Sequence, residues 1–577
     1  MPESIEPECV SEEGPPRTRR IAVWHAVAVL FFVIAAAVTF RAVLQAGPMS
    51  SVTVSNVEVR LPIAESDVVF QAWLTARNAR TILTAPHQIF DTPHCAPTTR
   101  TLTLGIPMMT MGLLAVPVAL FTENPALAYN FATSLLLILS ALAMYLLVRE
   151  WTGVAAAGVV AGLLYGFNPI RISFDITHPS VWDSAWTVFA FFFAERLFAR
   201  GRWRDAIGLA LACSLQIGAS FYPLLAAALM APTFAGWLLY RYGFRNVRAI
   251  QLAFVFGAIT MATALLLGPY LDAREAGKIG GRSFFYYAHW SDQLPGGMLF
   301  LGWGAVLLGL IGMLVPRRQL SLKLNGDPRW ALVIGAIVTT AVSAGPFNNE
   351  MLDLIWPDAP FQIPNLYLQL IPFIPGLESI RAVLRLTVAS HIVVGILAGM
   401  GAAWLIKRSG TMERVVGGAM IVLTLLSIVP EPHPRQTVEV NVDPDEIRFF
   451  KELEAMGNRG PVLELPFLTG ISRSMRAPSR ILPAAYHHRR MSACYGSFVE
   501  SGREELAELV EQIPERNAID GLRQLGFTTL ILDKRPAIYE LAIKQKIRGN
   551  LEDELRLLFE NEILVAFDIQ RPGSASE

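Results

Sequence analysis

Residues 65–83, ESDVVFQAWLTARNARTIL, follow the first long apolar run of the chain, and their reading decides the rest. Two acids flank a serine at the start. Val69, Trp73, Ala76 and Leu83 then recur at three- and four-residue steps, while Arg77 and Arg80 mark a polar side. The pattern predicts a helix with one apolar face. It is too polar to cross a bilayer, so its meaning depends on which membrane face it lies against.

The surroundings are those of a membrane protein. Of 577 residues, 53% are hydrophobic and only 17% charged, with mean hydropathy +0.42. Apolar runs near the roughly 20 residues needed to cross about 30 Å of hydrocarbon repeat between charged clusters. The expected fold is mostly α: a polytopic transmembrane helical bundle of about 11–12 spans with a small C-terminal α/β domain. The formal net charge of +0 averages unlike regions and says nothing about partners. The lipid bilayer is an expected partner and nucleic acid is not.

Positive charge orients the spans. Arg17, Arg19 and Arg20 precede the run 21–43, which is longer than a signal peptide's apolar region and reads as a retained span. Later spans read at about 126–148, 153–169, 182–199, 205–221, 223–240, 248–270, 296–315, 330–345, 382–406 and 413–430. Basic residues fill the loops at 196–204, 241–248, 317–329 and 407–414, which places these in the cytoplasm. The loops at 170–181, 271–295 and 346–381 then face outward, as does everything after 430. Three regions result: a cytoplasmic tail (1–20), a transmembrane domain (21–430) with an outer loop at 44–100, and an extracytoplasmic α/β domain (431–577). The expected location is the cell (inner) membrane.

Parity leaves one segment over. Residues 101–121 must begin and end outside, yet they are apolar and contain Gly105, Pro107, Gly112 and Pro117. A re-entrant segment meets both demands, provided its freed backbone groups face protein or water. The alternative is an ordinary span and a parity error elsewhere. On the outward reading, the 65–83 helix lies in the interface, burying Trp73 while Arg77 and Arg80 reach headgroups.

An acid just after the first span, an outer loop with interfacial helices and many further spans resemble the GT-C superfamily of integral membrane glycosyltransferases. Local motifs resemble a prokaryotic GT-C-like group: PALAYN (125–130), GLLYGFNPIRISFDITHP (162–179), YYAHWSDQLP (286–295), PGLESIRAVLR (375–385), and AAYHHRRMSACYGSF and LRQLGFTTLILD in the tail. The resemblance implies transfer of a sugar from a polyprenyl-phosphate carrier to an extracytoplasmic glycan, lipid or protein acceptor. It implies a base in the first outer loop. The chain reads Glu-Ser-Asp where many relatives show Gly-Asp or Asp-Glu, which leaves the roles of Glu65 and Asp67 open.

Asp67 is the candidate general base, taking the acceptor hydroxyl proton as in-line attack inverts the anomeric carbon. Glu65 is its candidate companion. The competing account is that Ser66 caps a helix whose first turn favours acids. No metal site is expected, although the acid pair leaves a divalent cation open. Arg381 and Arg385, four apart at the start of a span, would share a helix face and hold the lipid phosphate. Snorkelling to headgroups is the alternative. His178 and His289, in two outer loops, are candidate contacts to sugar or phosphate, or plain loop residues. His391 reads as a buried structural residue. Cys95 and Cys494 both lie outside, where a bridge is permitted, but nothing in the sequence shows that they meet, so the pairing stays open and a bridge is the less favoured reading.

In the tail, Asp443-Pro444-Asp445-Glu446 reads as N-cap, N1 proline and capping-box acid. Strands are expected at 462–465, 527–532 and 563–569, with helices near 502–513, 516–525 and 536–558. The basic run His487–Arg490 meets an anionic acceptor or is a solvated loop. Two rival functions remain. A transporter or flippase of lipid-linked sugar would place ionisable groups inside spans, where only Arg385 and His391 appear. A catalytically inactive scaffold would work without Asp67.

Overall fold

The computed structural model describes residues 17–54, 62–168, 170–171, 178–179, 183–278, 297, 299–320, 322–345, 365–408, 410–427, 436–498, 502–535 and 541–569. Helices of eight residues or more are numbered here. The bundle contains α1 (Arg17–Thr39), α2 (Pro62–Thr84), α3 (Met109–Ala119), α4 (Pro125–Thr152), α5 (Ala155–Gly166), α6 (Ala185–Arg200), α7 (Trp203–Ala219) and α8 (Phe221–Tyr242). It continues with α9 (Ala249–Leu266), α10 (Gly268–Glu275), α11 (Trp303–Leu314), α12 (Arg329–Ser343), α13 (Val388–Ile406) and α14 (Thr411–Ser427). Among the described residues, five helical segments are long and apolar enough to cross a membrane: 22–39, 125–152, 221–242, 249–266 and 383–406. The other apolar helices are shorter.

The basic loops converge on one end of the bundle. Asn246 Nδ2 donates to the Phe198 and Ala199 carbonyls at 3.2 and 2.9 Å, and Arg241 Nε to Asn325 O at 3.1 Å. Lys323 N–H donates to Trp151 O at 2.8 Å, and Lys407 Nζ to Thr152 O at 3.0 Å. Segments assigned to the opposite side meet at the other end. There Arg100 pairs with Asp272 at 3.1 Å and Tyr270 donates to Leu102 O at 3.2 Å.

Helix α2 is not interfacial. Val68, Ala72, Trp73, Leu74 and Ala79 are fully buried or nearly so. On its polar side Arg77 is buried, while Arg80 stays partly exposed. The Arg77 guanidinium donates to the carbonyls of Gln88 and Asp91, both at 2.8 Å, and of Ile89, and so braces the following loop instead of reaching headgroups. Arg80 pairs with Glu123. Asn78 donates to Pro107 O at 3.0 Å, seating α3 against α2. Contact there is so close that a Cβ on Gly112 would lie 2.5 Å from the Asn78 Cβ. Helix α3 has only 11 residues, about 16 Å. That is about half the hydrocarbon thickness, a length nearly shared by α5 and α11 at 12 residues each.

The tail adds α15 (Pro444–Ala455), α16 (Gly470–Ile481), α17 (Arg503–Glu511), α18 (Arg516–Gln524) and α19 (Leu541–Glu554). It also holds the strands β3 (Val462–Leu465), β4 (Thr529–Asp533), β5 (Arg556–Glu560) and β6 (Leu564–Asp568), in the order β3-β4-β6-β5. Strands β3 and β4 are parallel and the other pairs antiparallel. β5 was expected as the end of a helix; α19 stops at Glu554 and the chain turns back along β6. Asp443 caps α15 by accepting from Asp445 N at 3.0 Å, but Glu446 forms no capping box and pairs with Arg535 at 3.0 Å.

Tail and bundle share one core. Trp73, Met111 and Tyr129 of the bundle lie in the same apolar cluster as Phe449, Ile481 and Ile531 of the tail. A two-stranded antiparallel sheet makes a second join. β1 (Ser51–Val54) pairs with β2 (Gln436–Glu439), Ser51 opposite Glu439.

Candidate active site

Asp67 lies in the second turn of α2, five residues past Pro62, with Glu65 in the first. Ser66 is therefore inside the helix and does not cap it, and Asp67 is beyond the first turn where the macrodipole acts most strongly. The capping account of this carboxylate fails on geometry.

Three separate stretches converge on Asp67. His178 Nε2 lies 3.1 Å from Oδ2, and because an ionised carboxylate only accepts, Nε2 carries the proton. The Tyr495 hydroxyl, 428 positions away in sequence, donates to Oδ1. Arg385 adds positive potential. Burial opposes ionisation of Asp67, but the His178 hydrogen bond and charge, the Tyr495 hydroxyl and Arg385 outweigh it and hold the carboxyl below its usual range. The side chain keeps 29% exposure, so it is reachable from solvent.

The supporting residues fix Tyr495. Its ring packs on Phe70 at 5.0 Å between centroids. Its backbone carbonyl accepts from His94 Nε2 at 3.1 Å. A carbonyl cannot donate, so His94 is protonated on Nε2, and Nδ1 accepts from the Thr92 hydroxyl at 2.6 Å. Burial, then the Arg77 charge, push the His94 pKa down to about 3, so the ring is neutral. Behind it, Cys95 and Cys494 form a disulfide, with Cα atoms 4.3 Å apart. The sequence left this pairing open and favoured it less. The pairing rests on backbone bonds from Cys95 N to Ala493 O and from Met491 N to Pro93 O, at 2.9 and 2.8 Å.

Other expected residues fare differently. Glu65 is half-buried on the same helix as Asp67. Arg381 and Arg385 do not share a helix face. α13 begins only at Val388, residues 383–387 form a 3-10 turn, and Arg381 sits at a bend before it, with its side chain exposed. The Arg385 guanidinium lies over the Tyr222 ring, 5.0 Å from its centroid. His289 falls outside the described residues. His391 is buried and bonds to the Leu299 backbone. Within the run 487–490, His488 is exposed and lies 3.3 Å from Glu123, while the other three side chains are tied into the protein. His487 stacks on Phe450 at 3.8 Å, Arg489 donates to Gly460 O at 2.8 Å, and Arg490 holds Pro97 O at 2.9 Å.

The bundle holds more buried ionisable groups than expected. Arg171 and Asp183 are essentially unexposed. Arg171 lies over the Tyr165 ring at 4.6 Å, and Asp183 accepts from Thr110 at 2.7 Å. The runs around them read as loop and span edge, and only tertiary packing buries them. Among the described residues, no group of three or more His, Cys, Asp or Glu is placed to hold a metal ion.

No family model matches the chain, and no curated protein matches it in sequence. Solved structures do. A variant form of the arabinofuranosyltransferase AftD from Mycobacteria matches over 97% of this chain and 42% of that one, with 14% identity and TM-score 0.50. A second AftD structure gives 13% identity, TM-score 0.49 and 40% of that chain. ArnT from Cupriavidus metallidurans, bound to undecaprenyl phosphate, gives 12% identity and TM-score 0.38 over 96% of this chain and 98% of that one. The chain thus spans about two fifths of the AftD length. At such identities the likeness is one of fold, and at that level the expected resemblance to GT-C membrane glycosyltransferases is borne out.

Proposed function

We propose that this chain is a multi-pass membrane glycosyltransferase of the inner membrane, with its N-terminus cytoplasmic and its C-terminal domain outside. It moves a sugar from a polyprenyl-phosphate carrier to an extracytoplasmic glycan, lipid or protein acceptor. The observation that carries the reading is the convergence of His178, Tyr495 and Arg385 on Asp67, at the end of the bundle away from the basic loops.

Asp67 is the base. The acceptor oxygen attacks the anomeric carbon, the bond from that carbon to the carrier phosphate breaks, and the acceptor proton passes to Asp67. Configuration inverts. A carboxylate with a lowered pKa stays ionised at neutral pH, and the phosphate is a good enough leaving group to need only charge stabilisation. Arg385, whose charge already reaches Asp67, supplies it. Glu65 tunes the site, while His178 and Tyr495 aim the carboxylate. Arg381, His289 and an open cation position stand as further candidates for donor contact. The flippase reading would need Arg171 and Asp183 to lie on a path through the bundle, but they are tied to Tyr165 and Thr110.

The test compares lipid-linked sugars and surface glycans in cells lacking the chain, with wild type or Asp67→Asn restored. The proposal expects the deleted and Asp67→Asn cells alike to accumulate donor and lack one glycan. Full restoration by Asp67→Asn would leave a scaffold or transporter.

A further inference from the structure

At the end of the bundle opposite Asp67, a cavity of about 460 Å³ opens among the ends of α4, α6 and α8 and the loop at 323–325. Its charged lining is Arg149, Glu150, Glu195, Arg200 and Lys323. The acids there are already matched. Glu150 pairs with Arg200, and with Arg196 at 3.7 Å. Glu195 accepts from the Tyr242 hydroxyl at 2.8 Å. Nearby Asp205 takes Arg196 at 2.8 Å.

The remaining cations are not matched. Among the described residues, neither Arg149 nor Lys323 has a carboxylate at ion-pair distance. Lys407, beside them, is held on the carbonyls of Thr152 and Leu320 at 3.0 and 3.5 Å. Burial, and then repulsion from Lys323, lower its pKa. The fold fixes Lys323 closely. Gly153 ends α4 at φ +72°, and a Cβ there would lie 2.3 Å from the Lys323 Cε. Attraction to the carbonyl end of α4 accounts for one cation. It does not account for both Arg149 and Lys323 lining one hollow without a carboxylate partner.

We propose that this cavity binds a phosphate-bearing anion, held by the Arg149 guanidinium and the Lys323 ammonium with Arg200 at the edge. A guanidinium fork beside a compact ammonium suits phosphate oxygens. On the charge rule this end is cytoplasmic, where basic pockets between spans meet anionic headgroups. The inference does not depend on the glycosyltransfer reading.

The test uses the full chain, purified in detergent, as wild type, as Arg149→Gln/Lys323→Gln, and as Arg245→Gln. Arg245 is an exposed basic residue of the same end outside the cavity lining. Each is exchanged into phosphatidylcholine nanodiscs containing a minor fraction of phosphatidylglycerol, and retained lipid is counted by native mass spectrometry. Inorganic phosphate binding is measured in parallel by calorimetry. The expected result is phosphatidylglycerol retention by wild type and Arg245→Gln, falling about 30-fold in the double variant, at about tenfold or less for each cation. Phosphate binding lost in the same variant, without lipid retention, assigns the cavity to a soluble phosphate compound. Equal retention and equal phosphate binding in all three proteins overturns the proposal, as does an equal loss in Arg245→Gln. An intact Cys95–Cys494 bridge and a monodisperse profile show that each variant has folded.

Discussion

Asp67 of α2 and Glu464 of β3 are both carboxylates whose ionisation burial opposes, and both bond to the stretch 493–495. The Tyr495 hydroxyl meets Asp67, and the Ala493 backbone N–H meets Glu464. Their protonation diverges. Asp67 has donors on both oxygens and Arg385 in range, and its pKa is lowered. Glu464 is 8% exposed, and its Oε2 has no partner among the described residues. Burial, eased by Arg480 but reinforced by Glu446 and Asp533, pushes it up to about 7. Burial raises both; the donors decide the outcome. A carboxylate surrounded by donors from distant segments marks a site, while one left short of donors marks a core position whose stability depends on pH.

The sharpest way to break this contrast is to exchange the roles. Asp67→Asn should lower transfer by about 10²–10⁴-fold at normal expression, the usual cost of losing a general base. Glu65→Gln should cost less. If Glu65→Gln is the inactive variant, the helix is right and the carboxylate is wrong.

Next comes the tail. Glu464 binds its proton more tightly folded than unfolded, so the folded state gains stability at low pH and loses it as pH rises from about 4.5 toward about 7. The total is on the order of 3 kcal/mol. Glu464→Gln should flatten that slope in thermal unfolding scans, and an unchanged slope would assign it to other groups. Cys95→Ser should cost about 2–4 kcal/mol and loosen the frame around Tyr495, read as a lower melting temperature together with reduced transfer.

Tyr495→Phe is subtler. It removes one of the donors that hold Asp67 low, so the acid limb of the transfer rate should move to higher pH while the fold is kept. The alkaline limb should stay where it is. An acid limb that stays put would mean that the hydroxyl does not reach Asp67 during turnover. The smallest effect is expected at Arg381→Ala, whose exposed side chain lies off any shared helix face. Arg385→Ala should weaken binding of undecaprenyl phosphate more, measured by displacement in nanodiscs.

Much of this was legible along the chain. Apolar runs located α4, α8 and α13, because a membrane-spanning helix is written locally in about 20 residues. Strand β3 at 462–465 was found for the same reason. Asp67 and His178 were both singled out, although nothing local says that they touch. Tyr495 and His94 went unread, and the disulfide was not favoured, because their roles arise from contacts 399 to 428 positions apart. Arg77 misled because amphipathic spacing does not distinguish a headgroup contact from a buried guanidinium serving three backbone carbonyls. Strand β5 was hidden at the end of a helical pattern, where only pairing with β6 sets the boundary.

The 428-residue separation between Asp67 and Tyr495 also sets an order of events during synthesis. At about 5–20 residues per second, the ribosome delivers Asp67 roughly 20–90 s before Tyr495. Until then α2 lacks the hydroxyl that orients its carboxylate, and Cys95 waits without its mate. Every later helix of the bundle is made within that interval. A nascent or truncated chain ending near residue 430 would therefore carry the proposed base without its frame, and the site would complete itself only when residues 431–495 emerge.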